Sequence, residues 1–288
     1  MKLGISSYSL HPSLGTQEID ILQAMEWMKE QKVDHVEITP IGIDLEGQPE
    51  LVDAIAAKAR QLDLEVANFA VAGDVLKPTM EEFEQEIARL KKQVETAARL
   101  GALRMRHDVV AWDKKPERSS QFEEDFAQIV EACGIIADYA AGFGITTTIE
   151  NHGFYITPSD RVMRIVDAVN RPNFKLLLDV GNFLCVDEDP YAAVKQAIGY
   201  AAIVHFKDFY IRKSNAFPGE GWIQTLNGNY IRGSIFGQGD MDMRRIIQVI
   251  KDSGFEGPIS IEFEGMEPDK TATRMGYENA RRLWKETV

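Results

Sequence analysis

Short apolar, β-branched runs alternate with longer amphipathic stretches along the whole chain. The runs predict strands at Lys2–Ser6, His35–Thr39, Leu64–Phe69, Leu103–His107, Thr146–Glu150, Phe174–Asp179, Ala202–Phe206 and Pro258–Phe263. Helical periodicity fills the gaps. In Thr79–Leu100, for instance, Phe83, Ile87, Leu90, Val94 and Ala98 recur at spacings of three and four, with Glu and Lys between them. That stripe reads as a helix face packed on a sheet. Thr16 ahead of QEIDILQAM and Pro158–Ser159–Asp160 ahead of RVMRIVDAV mark helix starts. Gly101, Gly144 and Gly254 mark helix ends.

Eight βα units in unbroken alternation imply parallel strands joined by right-handed crossovers. Eight is also the number that closes a parallel sheet into a (β/α)8 TIM barrel. The rival, an open doubly wound sheet, usually carries a glycine-rich phosphate turn after an early strand. Here GISSYS follows without a GxGxxG pattern. The expectation is therefore an α/β chain folded as one barrel domain over residues 1–288. Its one irregular segment is Asp208–Asp240, the connection after the seventh strand, which is too long for an ordinary βα loop and rich in Gly and aromatics.

Composition narrows the class of function. Asp plus Glu number 45 against 32 Lys plus Arg, a formal charge of −13. That balance argues against a nucleic-acid partner, which needs a concentrated basic surface, and against anionic membranes. Two cysteines, Cys133 and Cys185, make no disulfide framework and fit a reducing cytoplasm. The opening MKLGISSYSL has no long apolar core, so no signal peptide is expected, and no uncharged apolar run nears the length of a membrane span. A cytoplasmic protein with a small-molecule partner is expected.

Candidate chemistry lies at the strand ends. Thr146, Thr148 and Glu150 share one strand face, and Ser260, Glu262 and Glu264 share another. Glu150, Asp179, His205 and Glu262 thus stand at or near the carboxyl ends of strands five to eight, the ends that share the mouth of a barrel. Three carboxylates converging there would repel one another unless a cation neutralised them. Three oxygen donors and one imidazole suit Mn²⁺, with Mg²⁺, Co²⁺ or Zn²⁺ as alternatives.

The ordered set IENHG, LLLDVGN, VHFKD and ISIEFEG, carrying Glu150, Asp179, His205 and Glu262, resembles the xylose isomerase-like barrel superfamily. It looks most like the sugar-phosphate isomerase/epimerase branch, which includes tagatose and psicose 3-epimerases, hydroxypyruvate isomerase and inosose dehydratase. GQGDMD, from Gly237 to Asp242, also resembles that branch's GxG–acid turn, although a tight loop with a helix cap would look the same. The resemblance implies one divalent metal held by the four residues, with Glu150 and Glu262 as the catalytic acid/base pair. The activity implied is isomerisation or epimerisation of a keto-sugar or related polyol through an enediolate. A homodimer or homotetramer is implied as well.

Two positions depart from the pattern. Asn182 stands where the epimerases commonly place a substrate-binding His, and Arg212 is only the nearest Arg to theirs. Ketohexose 3-epimerisation is accordingly in doubt. A lyase or dehydratase acting on a keto-inositol or 3-keto-glycoside through the same enediolate is the alternative. Glu37, His107, His152 and Lys207 join Asn182 and Arg212 as candidates for substrate binding by strand position, and Trp222, Phe217 and Tyr230 as aromatics that would stack on a sugar or fill a subunit contact. An endonuclease of the same barrel fold would need a many-histidine zinc cluster. Five histidines (His11, His35, His107, His152, His205) and an acidic chain count against it. A non-catalytic sugar-binding barrel is disfavoured by the intact four-donor set.

Overall fold

The computed structural model describes residues 1–215 and 217–287. Eight parallel strands close into a barrel: β1 (Lys2–Ser6), β2 (His35–Ile38), β3 (Glu65–Val71), β4 (Arg104–His107), β5 (Thr146–Glu150), β6 (Phe174–Asp179), β7 (Ala201–Phe206) and β11 (Pro258–Ile261). Closure is made where Lys2 pairs with Pro258 and Ile5 with Ile261. A one-residue shift between Val36 and Glu37 re-aims β2 against β3, and a second shift interrupts β6 against β7.

Among the described residues the helices are α1 (His11–Gly15), α2 (Ile21–Glu30), α3 (Pro49–Leu62), α4 (Met80–Leu100), α5 (Gln121–Ala141), α6 (Ser159–Val169), α7 (Pro190–Ala197), α8 (Met243–Asp252) and α9 (Asp269–Glu286). In α4 the predicted stripe Phe83, Ile87, Leu90 and Val94 is buried, while Ala97 takes the inner place and Ala98 is half-buried. Gly101 closes that helix in the left-handed region at φ 76°, where a β-carbon would be strained. No helix among the described residues is long and apolar enough to cross a membrane.

Local chemistry moves one of the predicted helix starts and keeps the other. Thr16 ends α1 rather than opening α2. The cap is Asp20, whose carboxylate accepts from the Gln23 amide at 2.8 Å while the Gln23 side chain accepts from the Asp20 amide at 2.9 Å. Ser159 is the first helical residue of α6, and its amide and hydroxyl donate to Glu188. The strand ends also differ slightly: β2 stops at Ile38, and β11 at Ile261, so Glu262 lies just past its strand.

The segment expected to be irregular contains a small antiparallel sheet, β8 (Asp208–Arg212), β9 (Ile223–Gln224) and β10 (Tyr230–Ser234), in the order β8–β10–β9. Asp208 anchors its base, accepting from the Gly237 and Gly239 amides at 2.9 Å each. In GQGDMD, Asp242 caps α8 by accepting from the Arg245 amide. That motif therefore has a structural role here.

Candidate metal centre and substrate cavity

The carboxyl ends of β5, β6, β7 and β11 bring Glu150, Asp179, His205 and Glu262 together, with one donor atom from each lying within 4.8 Å of the others. All four residues are buried. His205 Nδ1 sits at 3.8 Å from Glu150, 3.9 Å from Asp179 and 3.5 Å from Glu262. Its other nitrogen, Nε2, lies 2.9 Å from Glu37 Oε2, an arrangement that fixes the ring and leaves Nδ1 aimed into the cluster. Asp179 is held by its neighbours: Oδ1 accepts from the Gly181 and Asn182 amides at 2.7 and 2.9 Å, and its backbone exchanges two bonds with the Asn151 side chain.

The inward atoms test whether a cation fits. Asp179 Oδ2 and His205 Nδ1 are buried without a hydrogen-bond partner, and Glu150 Oε2 meets only the Arg106 guanidinium, at 2.9 Å. Orphaned atoms of this kind are rare in a folded protein and carry a desolvation cost. One proton would satisfy one of these acceptors, whereas a divalent cation satisfies several at once. The donor set therefore fits a metal ion.

Two cations flank the cluster from outside. Lys207 Nζ lies 2.7 Å from Glu262, 3.2 Å from Glu264 and 3.4 Å from Asp179, and donates to Asn182 Oδ1. Arg106 Nε forms an ion pair with Glu150 at 2.9 Å, while its Nη1 bonds Asp108 at 2.9 Å and the Val71 carbonyl at 3.1 Å. Burial works against charge on Lys207, but Asp179, Glu262 and Glu264 overcome it and hold the ammonium well above its usual range. Burial would raise Glu262, yet Lys207 and His205 hold that carboxyl well below the usual range. Asp179 is pushed up by burial, which Lys207 only partly offsets. Burial likewise opposes the His205 imidazolium, and Glu37 and Glu262 outweigh it. The cluster thus favours positive charge at its centre.

A cavity of about 260 Å³ opens above the donors, lined by Glu150, His152, Asn182, Lys207, Glu262 and Glu264 on its polar side and by Ile41, Trp112, Phe154 and Ile223 on its apolar side. His152 Nδ1 lies 3.0 Å from Asp108. Gly153 is required beside it: φ is +75°, and a β-carbon would meet the Trp112 carbonyl at 2.1 Å.

Of the sequence-named candidates for substrate binding, Asn182, His152 and Lys207 face this cavity. Glu37 does not; it is fully buried behind His205. His107 packs its ring against Phe174 and bonds the Asp108 carbonyl, because alternation along β4 turns it away while Arg106 points inward. Arg212 sits on β8, half-exposed, paired with Asp240 and stacked on Trp222 at 5.3 Å. Trp222 and Tyr230 belong to that arm, and Phe217 contacts Tyr230; Ile223 is the arm residue that reaches the cavity. Sequence reasoning missed Arg106, Asp108, Asn151 and the cavity-lining Tyr8, and it placed Glu264 on the face of Glu262 without giving it a role in the site. Arg104 and Arg106 in a strand expected to be buried were a usable signal, since an arginine in such a place needs a partner.

The family model for xylose isomerase-like TIM barrels matches residues 25–286. The chain is similar to inosose dehydratase of Clostridium perfringens strain 13, 24% identical over 146 residues, 49% of this chain and 48% of that protein. It is also similar to L-ribulose-5-phosphate 3-epimerase UlaE of Escherichia coli ATCC 8739, 26% identical over 157 residues, 54% of this chain and 47% of that protein. Each match spans about half the length of the curated relative. Among solved structures, the IOLI protein with a bound zinc atom superposes with a TM-score of 0.77 at 19% identity, over 100% of this chain and 99% of that one, a likeness of fold.

Proposed function

We propose that this chain, which belongs to the xylose isomerase-like TIM barrel family, is a divalent-metal-dependent sugar isomerase or epimerase acting on a keto-sugar or related polyol. The observation that carries the reading is the meeting of Glu150, Asp179, His205 and Glu262, one donor atom of each within 4.8 Å of the others, with Asp179 Oδ2 and His205 Nδ1 lacking a hydrogen-bond partner. A divalent cation bound there supplies polarisation of a substrate carbonyl and its neighbouring hydroxyl. The oxygen-rich donors favour manganese, with magnesium, cobalt or zinc able to substitute.

The chain's own residues supply the proton transfer. Glu150 and Glu262 come from strands separated by β6 and β7 in the barrel order, so they approach the cavity from different sides. One removes the proton from the carbon next to the carbonyl and the other returns it. Arg106 pairs with Glu150 and Lys207 with Glu262, which holds the two carboxylates in place. His152, Asn182 and Lys207 face the cavity as groups for substrate hydroxyls. Glu37 orients His205.

A specific observation favours a second reading, a lyase or dehydratase on a keto-inositol or 3-keto-glycoside. The Lys207 ammonium faces the cavity 2.7 Å from Glu262, a fixed positive charge that would stabilise a leaving hydroxyl or alkoxide beyond the glutamate pair. Manganese-loaded protein incubated in D₂O with ketoses and with 3-keto-glycosides separates the two. Deuterium entry without elimination supports the isomerase or epimerase, and release of water or an alcohol supports the lyase. Neither event from either set, in protein shown to hold one metal per chain, refutes both.

A further inference from the structure

We propose that the cavity takes an uncharged sugar bearing an apolar substituent, and not a phosphorylated one. The inference rests on the sugar-directed reading above and concerns the part of the substrate that does not react.

The first ground is charge. Glu37, Asp108, Glu150, Asp179, Glu262 and Glu264 cluster within and beneath the cavity, against Arg106, Lys207 and, when protonated, the His152 that pairs with Asp108, with His205 neutral as a ligand. A dication at the cradle leaves that balance negative. Neither Arg106 nor Lys207 is free. Arg106 is engaged by Glu150, Asp108 and the Val71 carbonyl. Lys207 is engaged by Glu262, Glu264, Asp179 and Asn182. Among the described residues no other Lys or Arg lines the cavity. Lys115 lies over the Phe154 ring at 4.6 Å but outside the lining. In barrels of this kind phosphates are commonly gripped by the loops after the last two strands. Here the loop after β11 presents Glu264 and Glu267 and has no Lys or Arg before α9, and Arg212, Lys213 and Arg232 of the arm after β7 lie outside the cavity lining. A phosphate arriving there would meet carboxylates.

The second ground is the outer wall. Ile41, Trp112 and Ile223 line the cavity and remain 43%, 54% and 38% exposed. Phe154 packs against Trp112 with ring centroids 6.3 Å apart. They come from three separate connections, after β2, after β4 and from the arm, yet line one cavity, together with Phe154 from the β5 connection. Apolar side chains left open to water beside a polar centre suit a ligand with a polar end and an apolar end.

Three unreactive probes test this without turnover: methyl β-D-glucopyranoside, its phenyl counterpart, and methyl β-D-glucopyranoside 6-phosphate. None has a carbonyl to enolise. Binding is measured by calorimetry on the full chain with one Mn²⁺ per protein. The expected order is phenyl at least tenfold tighter than methyl, and the 6-phosphate at least tenfold weaker. Trp112→Ala and Ile223→Ala should each shrink the phenyl advantage severalfold while leaving the methyl Kd unchanged. A 6-phosphate that binds more tightly than its parent overturns the inference, as does equal binding of phenyl and methyl, or no binding of any probe. Proton exchange in D₂O is read separately, so failure of the proposed reaction and failure of this preference are distinguishable.

Discussion

The barrel divides into two halves that share a fold and differ in chemistry. The carboxyl ends of strands β5, β6, β7 and β11 carry Glu150, Asp179, His205 and Glu262, which lie together. Strands β2 and β4 contribute Glu37 and Arg106, which point at those four. One half gathers the donors and the other holds them still. Buried carboxylates at these spacings tolerate one another only with compensating charge. The difference teaches that a strand-end acid has no meaning alone; its partner across the barrel decides whether it donates, supports or packs.

Substitutions can break that division, and the largest effect belongs to the donor half. Glu150→Gln and Glu262→Gln should each lower deuterium exchange on the order of 10²- to 10⁴-fold, as expected for a lost acid/base group, with circular dichroism unchanged. Retained exchange in both would end the proposed pairing. Next comes the support half. Arg106→Met strands Asp108 and Glu150 without their cation and should destabilise the chain by about 3–5 kcal/mol in denaturant unfolding. Adding Asp108→Asn should recover part of that loss, because one uncompensated charge is removed with it.

Glu37→Gln sharpens the comparison at a smaller scale. It keeps a hydrogen-bond partner for His205 but removes the charge, and should weaken metal affinity by roughly 10- to 100-fold in a competitive chelator titration. An unchanged affinity would make Glu37 a packing residue. The smallest effect is expected outside both halves. Arg212→Ala removes a half-exposed pair with Asp240 and should cost under about 1 kcal/mol, with exchange intact. A large loss of exchange would instead bring the arm sheet into the substrate site.

How much of this was legible beforehand follows from the kind of pattern involved. Alternation placed Glu150 at the inward end of β5, and the same rule applied to β11 set Glu262 and Glu264 on one face. The rule misled at β4, where the last residue, His107, drew attention and its neighbour Arg106 proved to point inward. Hydropathy marked the barrel strands but not β8, β9 and β10, because Phe209 and Ile231 are the only buried apolar residues described in these short strands, too few to set a periodicity.

The alternation of eight apolar runs with amphipathic stretches was enough to specify a closed parallel barrel, since few other arrangements bury both faces of such strands. The polar residues at the ends of those runs were enough to name a donor set. What the linear order left open was which supporting charges reach across: Glu37 against His205, Arg106 against Glu150, Lys207 against Glu262. Those contacts depend on strand stagger, on the one-residue shifts beside Glu37 and in β6, and on connections distant in the chain meeting at one mouth. Distances of a few ångströms between such residues come from packing the whole barrel, and no local pattern encodes them.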